Sequence, residues 1–188
     1  MKSISDNPWQ KINEEVVYDN SWIQVTHSKV INPSGSDGIY GSVHFKNWAI
    51  GIIPLDMELN TWIVGQYRYP LNQYSWEIPE GGSPLGTSSE ETAKRECLEE
   101  TGCEVKKLTP IQGYFPAPGS SESFYYLFLG EIETFDGERI MGLKTENEDI
   151  LVRSYKIEEV KNKMNKKEIL NGLSLIALQW FFLNIYKD

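Results

Sequence analysis

Cysteine is nearly absent: of 188 residues only Cys97 and Cys103 are cysteines, six positions apart. That spacing fits neither a zinc motif nor a disulfide framework, so a reducing, cytoplasmic setting is expected. Positive charge is scarce as well, with 18 Lys and Arg against 27 Asp and Glu and a net charge of −9. The richest basic run is KNKMNKK, Lys161 to Lys167, which reads as the solvated face and linker of a helix. A broad nucleic-acid-binding surface is therefore not expected, because neutralising phosphates needs clustered Lys and Arg. An acidic chain can still take a phosphorylated small molecule if a metal ion and a few placed arginines supply positive charge locally. Histidine is limited to His27 and His44, both on expected strands and both read as structural. The start, MKSISDNPWQ, has no apolar core of signal-peptide length, and the apolar C-terminal run is broken by Gln179 and Asn184. Neither secretion nor membrane spanning is expected.

What is present is a series of β-rich segments around one clear helix. WIQVTHSKV (Trp22 to Val30) and IYGSVHF (Ile39 to Phe45) flank the turn cluster NPSGSDG and read as an N-terminal β-hairpin. WAIGIIPLD and TWIVGQYRY are dense in β-branched and aromatic residues and read as a second, more buried strand pair. The loop PEGGSPLGTSS leads into a helix from about Ser89 to Thr101, with Ser88 and Glu91 spaced as a capping box and Gly102 placed to end it. Strands are expected around Val105 to Gly113, Phe124 to Ile132 and Ile150 to Ile157, with the loop FPAPGSSES between the first two. From Lys166 onward, Ile169, Leu170, Leu173, Ile176, Ala177, Trp180 and Leu183 recur at helical spacing, which predicts a packed C-terminal helix. The fold class expected is α+β, one domain of layered helices and sheet.

The unusual feature is KRECLEETGC, Lys94 to Cys103. At about 3.6 residues per turn, Glu96, Glu99 and Glu100 project from one helix face, close to the negative end of the helix dipole. Dipole and mutual repulsion each work against them by roughly 0.3 to 1 kcal/mol, and no Lys stands four residues beyond. Two readings stay open on the residues alone. One is a solvated acidic face; the other is a cluster of hard oxygen ligands for Mg²⁺ or Mn²⁺.

Gly81 to Cys103, GGSPLGTSSEETAKRECLEETGC, resembles the Nudix box, G-x5-E-x7-R-E-U-x-E-E-x-G-U with U apolar. Gly81, Arg95, Glu96, Glu99, Glu100 and Gly102 match, and Cys97 and Cys103 take apolar positions. Thr87 departs, standing where the pattern has its first Glu, which in the family helps to orient the arginine. Glu91, four residues before Arg95 in the favourable order for a helical ion pair, is expected to take over that role. GQYRYP, WEIPEGG, FPAPGSSES, LKTENEDILV and SLIALQW further resemble the ADP-ribose and nucleoside-diphosphate-sugar pyrophosphatase branch.

That resemblance implies a Nudix-type α/β/α sandwich with a mixed β-sheet over residues 46–188, and an N-terminal β-hairpin extension over 1–45. It implies Mg²⁺-dependent hydrolysis of ADP-ribose to AMP and ribose 5-phosphate, with Mn²⁺ as a possible substitute. Alternatives are another sugar nucleotide such as GDP-mannose or UDP-glucose, or a noncatalytic module that senses a nucleotide. By the resemblance, Glu96 and Glu100 ligate the metal, Glu99 ligates or supports it, and the Glu80 carbonyl adds a ligand. Glu146 and Glu148 fall on the branch's acidic loop, Glu146 as the base and Glu148 completing the metal shell. Arg95 belongs to the catalytic set, Arg68 matches a phosphate or terminal-ribose contact, and Glu122 matches a ribose or water contact. Pro118, fifteen residues after Cys103, matches the proline that accompanies ADP-ribose activity. The branch also implies a homodimer that uses its N-terminal strands.

Overall fold

The structure, a computed structural model, describes residues 6–133, 139–141 and 149–186; the expected site residues Glu146 and Glu148 lie outside the described residues. Two compact units are present, Met1–Asn47 with Phe115–Ser123, and Trp48–Tyr114 with Phe124–Asp188.

In the first unit, β1 (Gln10–Asp19), β2 (Ile23–Ile31) and β3 (Asp37–Phe45) form an antiparallel sheet in that order. The expected hairpin is β2–β3. Its turn forms because the Asn32 side chain accepts the backbone N–H groups of Ser34 and Ser36, while Gly35 takes a positive φ of 87°. The sequence reading missed β1, and the reason is physical. Glu14 and Val17 break the alternation of Ile12, Val16 and Tyr18, so no clean period-two apolar face marks QKINEEVVYD as a strand, and every one of its residues is exposed.

The second unit is built on an eight-stranded mixed sheet. Its strands are β4 (Asn47–Leu55), β5 (Asn60–Arg68), β6 (Gln73–Glu77), β7 (Glu80–Pro84), β8 (Val105–Tyr114), β9 (Tyr125–Ile132), β10 (Arg139–Met141) and β11 (Ile150–Lys156). The main path runs β10-β11-β5-β4-β9-β8, with β6 joined to β5 and β7 to β4. The β4–β9 pairing is parallel, which makes the sheet mixed. Side chains alternate across β4 and β5 and so feed two cores. On one face Ile50, Ile52, Trp62 and Val64 pack with Ala93 and Cys97 of α1 (Ser89–Thr101). On the other, Ile53 and Ile63 pack with Ile157 and Val160 of α2 (Ile157–Asn165), and with Leu173, Ala177, Leu178 and Phe181 of α3 (Gly172–Asn184). Helices thus cover both faces, giving the expected α/β/α sandwich. Each large apolar side chain buried this way contributes about 1.5 to 3 kcal/mol.

Beyond strand ends that move by one or two residues, three assignments differ from the sequence reading. The glycine-rich EGGSP is strand β7 and not loop, because its backbone finds a partner in β4. Ile157 opens α2 and does not close β11. The C-terminal helix starts at Gly172, not near Lys166, because Lys167 takes a positive φ of 61° and breaks the helical path. No helix among the described residues is long and apolar enough to cross a membrane.

Both cysteines are free and buried. Burial pushes the Cys97 thiol up to about 12, against a smaller opposing pull from its hydrogen bond with the Thr101 hydroxyl. Iodoacetamide at mildly alkaline pH is therefore expected to label neither thiol in the folded protein and both after denaturation. Rapid labelling of the native protein, read by mass spectrometry, would contradict this placement.

Candidate active site

The acidic motif lies on α1 where the sequence placed it. Ser88 caps the helix by accepting the Glu91 backbone N–H at 3.2 Å. Gly102 ends it in the left-handed region at φ 73°, its N–H bonding the Leu98 carbonyl at 2.8 Å. On this frame Glu96 and Glu100 are buried, at 9% and 2% exposure, although a solvated acidic face would leave both in water.

Each buried carboxylate reaches the backbone of β7. The Glu100 Oε2 accepts the Glu80 N–H at 2.8 Å. The Glu96 carboxyl lies so close over Gly81 that a Cβ added there would land on it. This is the physical reason for glycine at the first position of the motif: the backbone must come within contact distance of a carboxylate. Gly81→Ala is expected to swing Glu96 out of place and lower turnover about a hundredfold with the fold intact, the scale for a misplaced catalytic group. Unchanged kcat in a folded variant would remove that role.

Arg95 supplies the local positive charge. It forms ion pairs with Glu96, at 2.5 Å, and with Glu99, and its guanidinium leans on the Gly82 carbonyl. The expected Glu91–Arg95 pair is not present. Glu91 is exposed and engaged through its backbone at the cap, and Arg95 turns towards the C-terminal carboxylates, where the unfavourable charge accumulates. No group of three His, Cys, Asp or Glu side chains among the described residues is arranged as a ready metal site.

Thr87 has a role of its own where the box departs. Its hydroxyl donates to the Pro84 carbonyl at 2.7 Å and meets Ser83 Oγ at 2.9 Å, and Thr92 Oγ1 donates to Ser83 Oγ at 3.0 Å. A hydroxyl carries one proton, so Thr87 gives its own to the Pro84 carbonyl and accepts that of Ser83, while Thr92 shares its proton between Ser83 Oγ and the Ser88 carbonyl at 3.1 Å. This relay ties the end of β7 to the first turns of α1.

Behind β7 lies a second charged cluster. Arg68 Nε donates to Glu77 Oε1 at 3.0 Å, and Nη2 reaches both Glu77 Oε2 and, at 2.9 Å, Glu80 Oε1. Asn171, the cap of α3, gives its side-chain amide to Glu80 Oε1 at 3.1 Å while its Oδ1 accepts the Ser174 N–H. Ser174 Oγ in turn accepts the Ile78 N–H at 2.9 Å, so α3 braces the whole WEIPEGG stretch. Burial would raise the Glu77 carboxyl, but the Arg68 hydrogen bonds and charge outweigh it and hold it below the usual carboxylate range. Glu80 goes the other way, held well above that range by burial and by the charge of Glu77. Its Oε2 is buried without a hydrogen-bond partner. Arg68, 32% exposed, lines a pocket of about 300 Å³ with Pro70, Gln73, Ser75 and Asn171.

In the first unit, Pro118 and Glu122 line a separate pocket of about 340 Å³ with Tyr40, Ser42, Phe115 and two serines. Glu122 is held by His44, whose Nδ1 lies 2.6 Å from Glu122 Oε1.

The structure therefore brings Glu80, Arg95, Glu96, Glu99 and Glu100 together at the β7–α1 junction. Three participants went unassigned in the sequence. Glu77 sits inside the WEIPEGG stretch, Asn171 carries the readable signal of a helix cap three residues before a serine, and His44 reads from the sequence as a structural strand residue.

A Nudix domain model matches residues 46–173, and a model described as the nucleoside diphosphate sugar hydrolase N-terminal domain matches residues 9–43. The chain belongs to the Nudix family. Among curated proteins it is similar to an ADP-ribose pyrophosphatase of Haemophilus influenzae, 38% identical over 108 residues that make up 57% of this chain and 50% of that one. It is also similar to an ADP-ribose pyrophosphatase of Bacillus subtilis, 27% identical over 184 residues that make up 97% of this chain and 96% of that one. The chain thus matches about half the length of the Haemophilus protein and nearly all of the Bacillus one. Among solved structures, the crystal structure of an ADP compounds hydrolase superposes with a TM-score of 0.77 at 18% identity, covering 95% of this chain and 94% of that one. At that identity the likeness is one of fold.

Proposed function

We propose that this chain hydrolyses the diphosphate bond of ADP-ribose to AMP and ribose 5-phosphate with Mg²⁺, or Mn²⁺ in its place. The observation that supports this most is the seating of two buried carboxylates of α1, Glu96 and Glu100, against the backbone of Gly81 and Glu80. The donor set is all oxygen and the cradle over Gly81 has no room for a side chain, both of which fit a hard divalent cation. Glu96, Glu99, Glu100 and the Glu80 carbonyl would hold it, with Glu148 completing the shell. When bound, such an ion neutralises the diphosphate and lowers the pKa of the attacking water.

The rest is the chain's own work. Arg95 keeps Glu96 and Glu99 aligned by its fork of hydrogen bonds. Glu146 takes the proton of the attacking water. Arg68 contacts a phosphate or the terminal ribose from its pocket, and Glu122 and Pro118 shape the pocket that receives a ribose. Residues 1–45 act as an extension that pairs with a second copy. The exposed Ile12, Val16, Val17 and Tyr18 of β1 support a homodimer, since apolar side chains on an open sheet favour burial. The buried free thiols are consistent with a cytoplasmic setting.

A second reading is hydrolysis of another nucleoside diphosphate sugar, favoured by the match of residues 9–43 to the sugar hydrolase N-terminal domain. Incubation with Mg²⁺ and a panel of ADP-ribose, ADP-glucose, GDP-mannose, UDP-glucose and NADH separates the two. AMP and ribose 5-phosphate from ADP-ribose are the expected products. Preference for GDP-mannose or UDP-glucose would move the assignment to the second reading. Binding of ADP-ribose without cleavage of any compound would make the protein a sensor.

A further inference from the structure

The loop that carries Pro118 and Glu122 is gripped by one strand. Tyr40 donates its hydroxyl to the Gly119 carbonyl at 2.8 Å, the Val43 N–H bonds the Ser120 carbonyl at 2.8 Å, and His44 holds Glu122 at 2.6 Å. All three anchors lie on β3, the strand whose other edge pairs with β2. His44 is itself held: its Nε2 lies 3.0 Å from Oγ1 of Thr26, a residue 5% exposed on β2. A carboxylate only accepts, so the Nδ1 proton must point at Glu122, and a neutral ring then accepts the Thr26 hydroxyl at Nε2. If the ring is protonated the threonine hydroxyl turns and accepts instead. The ring orientation is therefore fixed in either state, and with it one oxygen of Glu122.

We infer that His44 is a positioning residue for substrate: by fixing Glu122 Oε1 it leaves Oε2 to act in the pocket that Glu122 lines with Tyr40, Ser42, Phe115 and Ser120. There it accepts a hydroxyl of the sugar. This rests on the assignment of Glu122 as a ribose contact under Proposed function. Glu122 is on a loop with its side chain 57% exposed. Without the imidazole it would sample several rotamers, and binding would bear the cost of ordering one. The effect falls on affinity and not on bond cleavage, because the hydroxyl contact is the same in ground and transition states.

The test is steady-state kinetics, on the best substrate of the panel, of wild type, His44→Ala, His44→Asn, Glu122→Gln and the two corresponding double variants. His44→Ala is expected to raise KM about five- to tenfold with kcat within about twofold, the scale of one charge-assisted hydrogen bond at a partly exposed site. His44→Asn, which places an amide donor near the Nδ1 position, is expected to recover most of that loss. The doubles are expected to be no worse than Glu122→Gln alone. Additive losses, an unchanged KM in His44→Ala, or a fall in kcat at constant KM would each overturn the assignment. Should His44→Ala not fold, His44→Phe, which keeps the ring's bulk and removes its donor, takes its place in the cycle with the same expected rise in KM. A wild type that cleaves nothing in the panel overturns the hydrolase reading and this one together, and is recognised before any variant is assayed.

Discussion

Glu100→Gln is expected to lower kcat about a thousandfold, some 4 kcal/mol of transition-state stabilisation, while the protein unfolds at nearly the wild-type temperature. The two halves of that expectation come from two jobs of one side chain. Its Oε2 accepts the Glu80 N–H at 2.8 Å, and the carbonyl oxygen of glutamine can accept the same bond in the same shape. Its charge, buried at 2% exposure, is what a divalent ion would require and what glutamine lacks. Kinetics with excess Mg²⁺ together with a thermal melt decide the matter. A variant that keeps more than a tenth of wild-type turnover would show that Glu100 serves only to position β7.

Arg68→Ala carries the largest expected effect on stability, about 3 to 4 kcal/mol at neutral pH, because it leaves buried carboxylates without their cation. Glu77 is 2% exposed and Glu80 16% in their side chains, so both are largely withdrawn from water where the fork is lost. The pH dependence has a definite sign. In the wild type the Glu77 carboxyl is lowered despite its burial, so its contribution is present above the unfolded value of about 4.3 and disappears as pH falls through the folded one. Glu80 is raised, so the stability it lends is present below about 4.3 and is lost as pH rises through its folded value. Without Arg68 the main opposition to the burial of Glu77 is gone, only the hydrogen bonds of Glu80 and Ser75 still lower it, and its carboxyl is expected to rise. The cost of the substitution is therefore expected to be largest near neutrality and to shrink on acidification. Urea unfolding of both proteins across the acid range tests this, and a penalty that grows as pH falls would contradict the electrostatic account.

How far the sequence alone reached depends on whether the governing force was local. α1 was legible to the residue because its cap, its carboxylates and the glycine that ends it are all local signals. The central strands were legible from their apolar density, since that is what burial on both faces selects. β1 and β7 were not, for opposite reasons: one buries no face at all, and the other is glycine-rich backbone whose strand character comes only from pairing with β4. In the site, the motif placed Glu96 and Glu100 together, but the partner of Arg95 could not be chosen from spacing. Glu91 and Glu99 are both four residues from it, and only the accumulated charge near β7 selects Glu99. The link between His44 and Glu122 spans 78 residues of chain, a distance at which sequence pattern carries no signal.

The hydroxyl relay at Thr87 has a consequence for the conditions under which the motif holds together. Thr92, Ser83, Thr87 and the Pro84 carbonyl carry no net charge. A carboxylate latch in that position would loosen as ionic strength rises and release when protonated. The neutral chain does neither, so the front of the loop stays shut in brine and in mild acid alike. A fall in turnover under those conditions is therefore expected to begin among the charged groups, the α1 glutamates and the Arg68 cluster, and not at this relay.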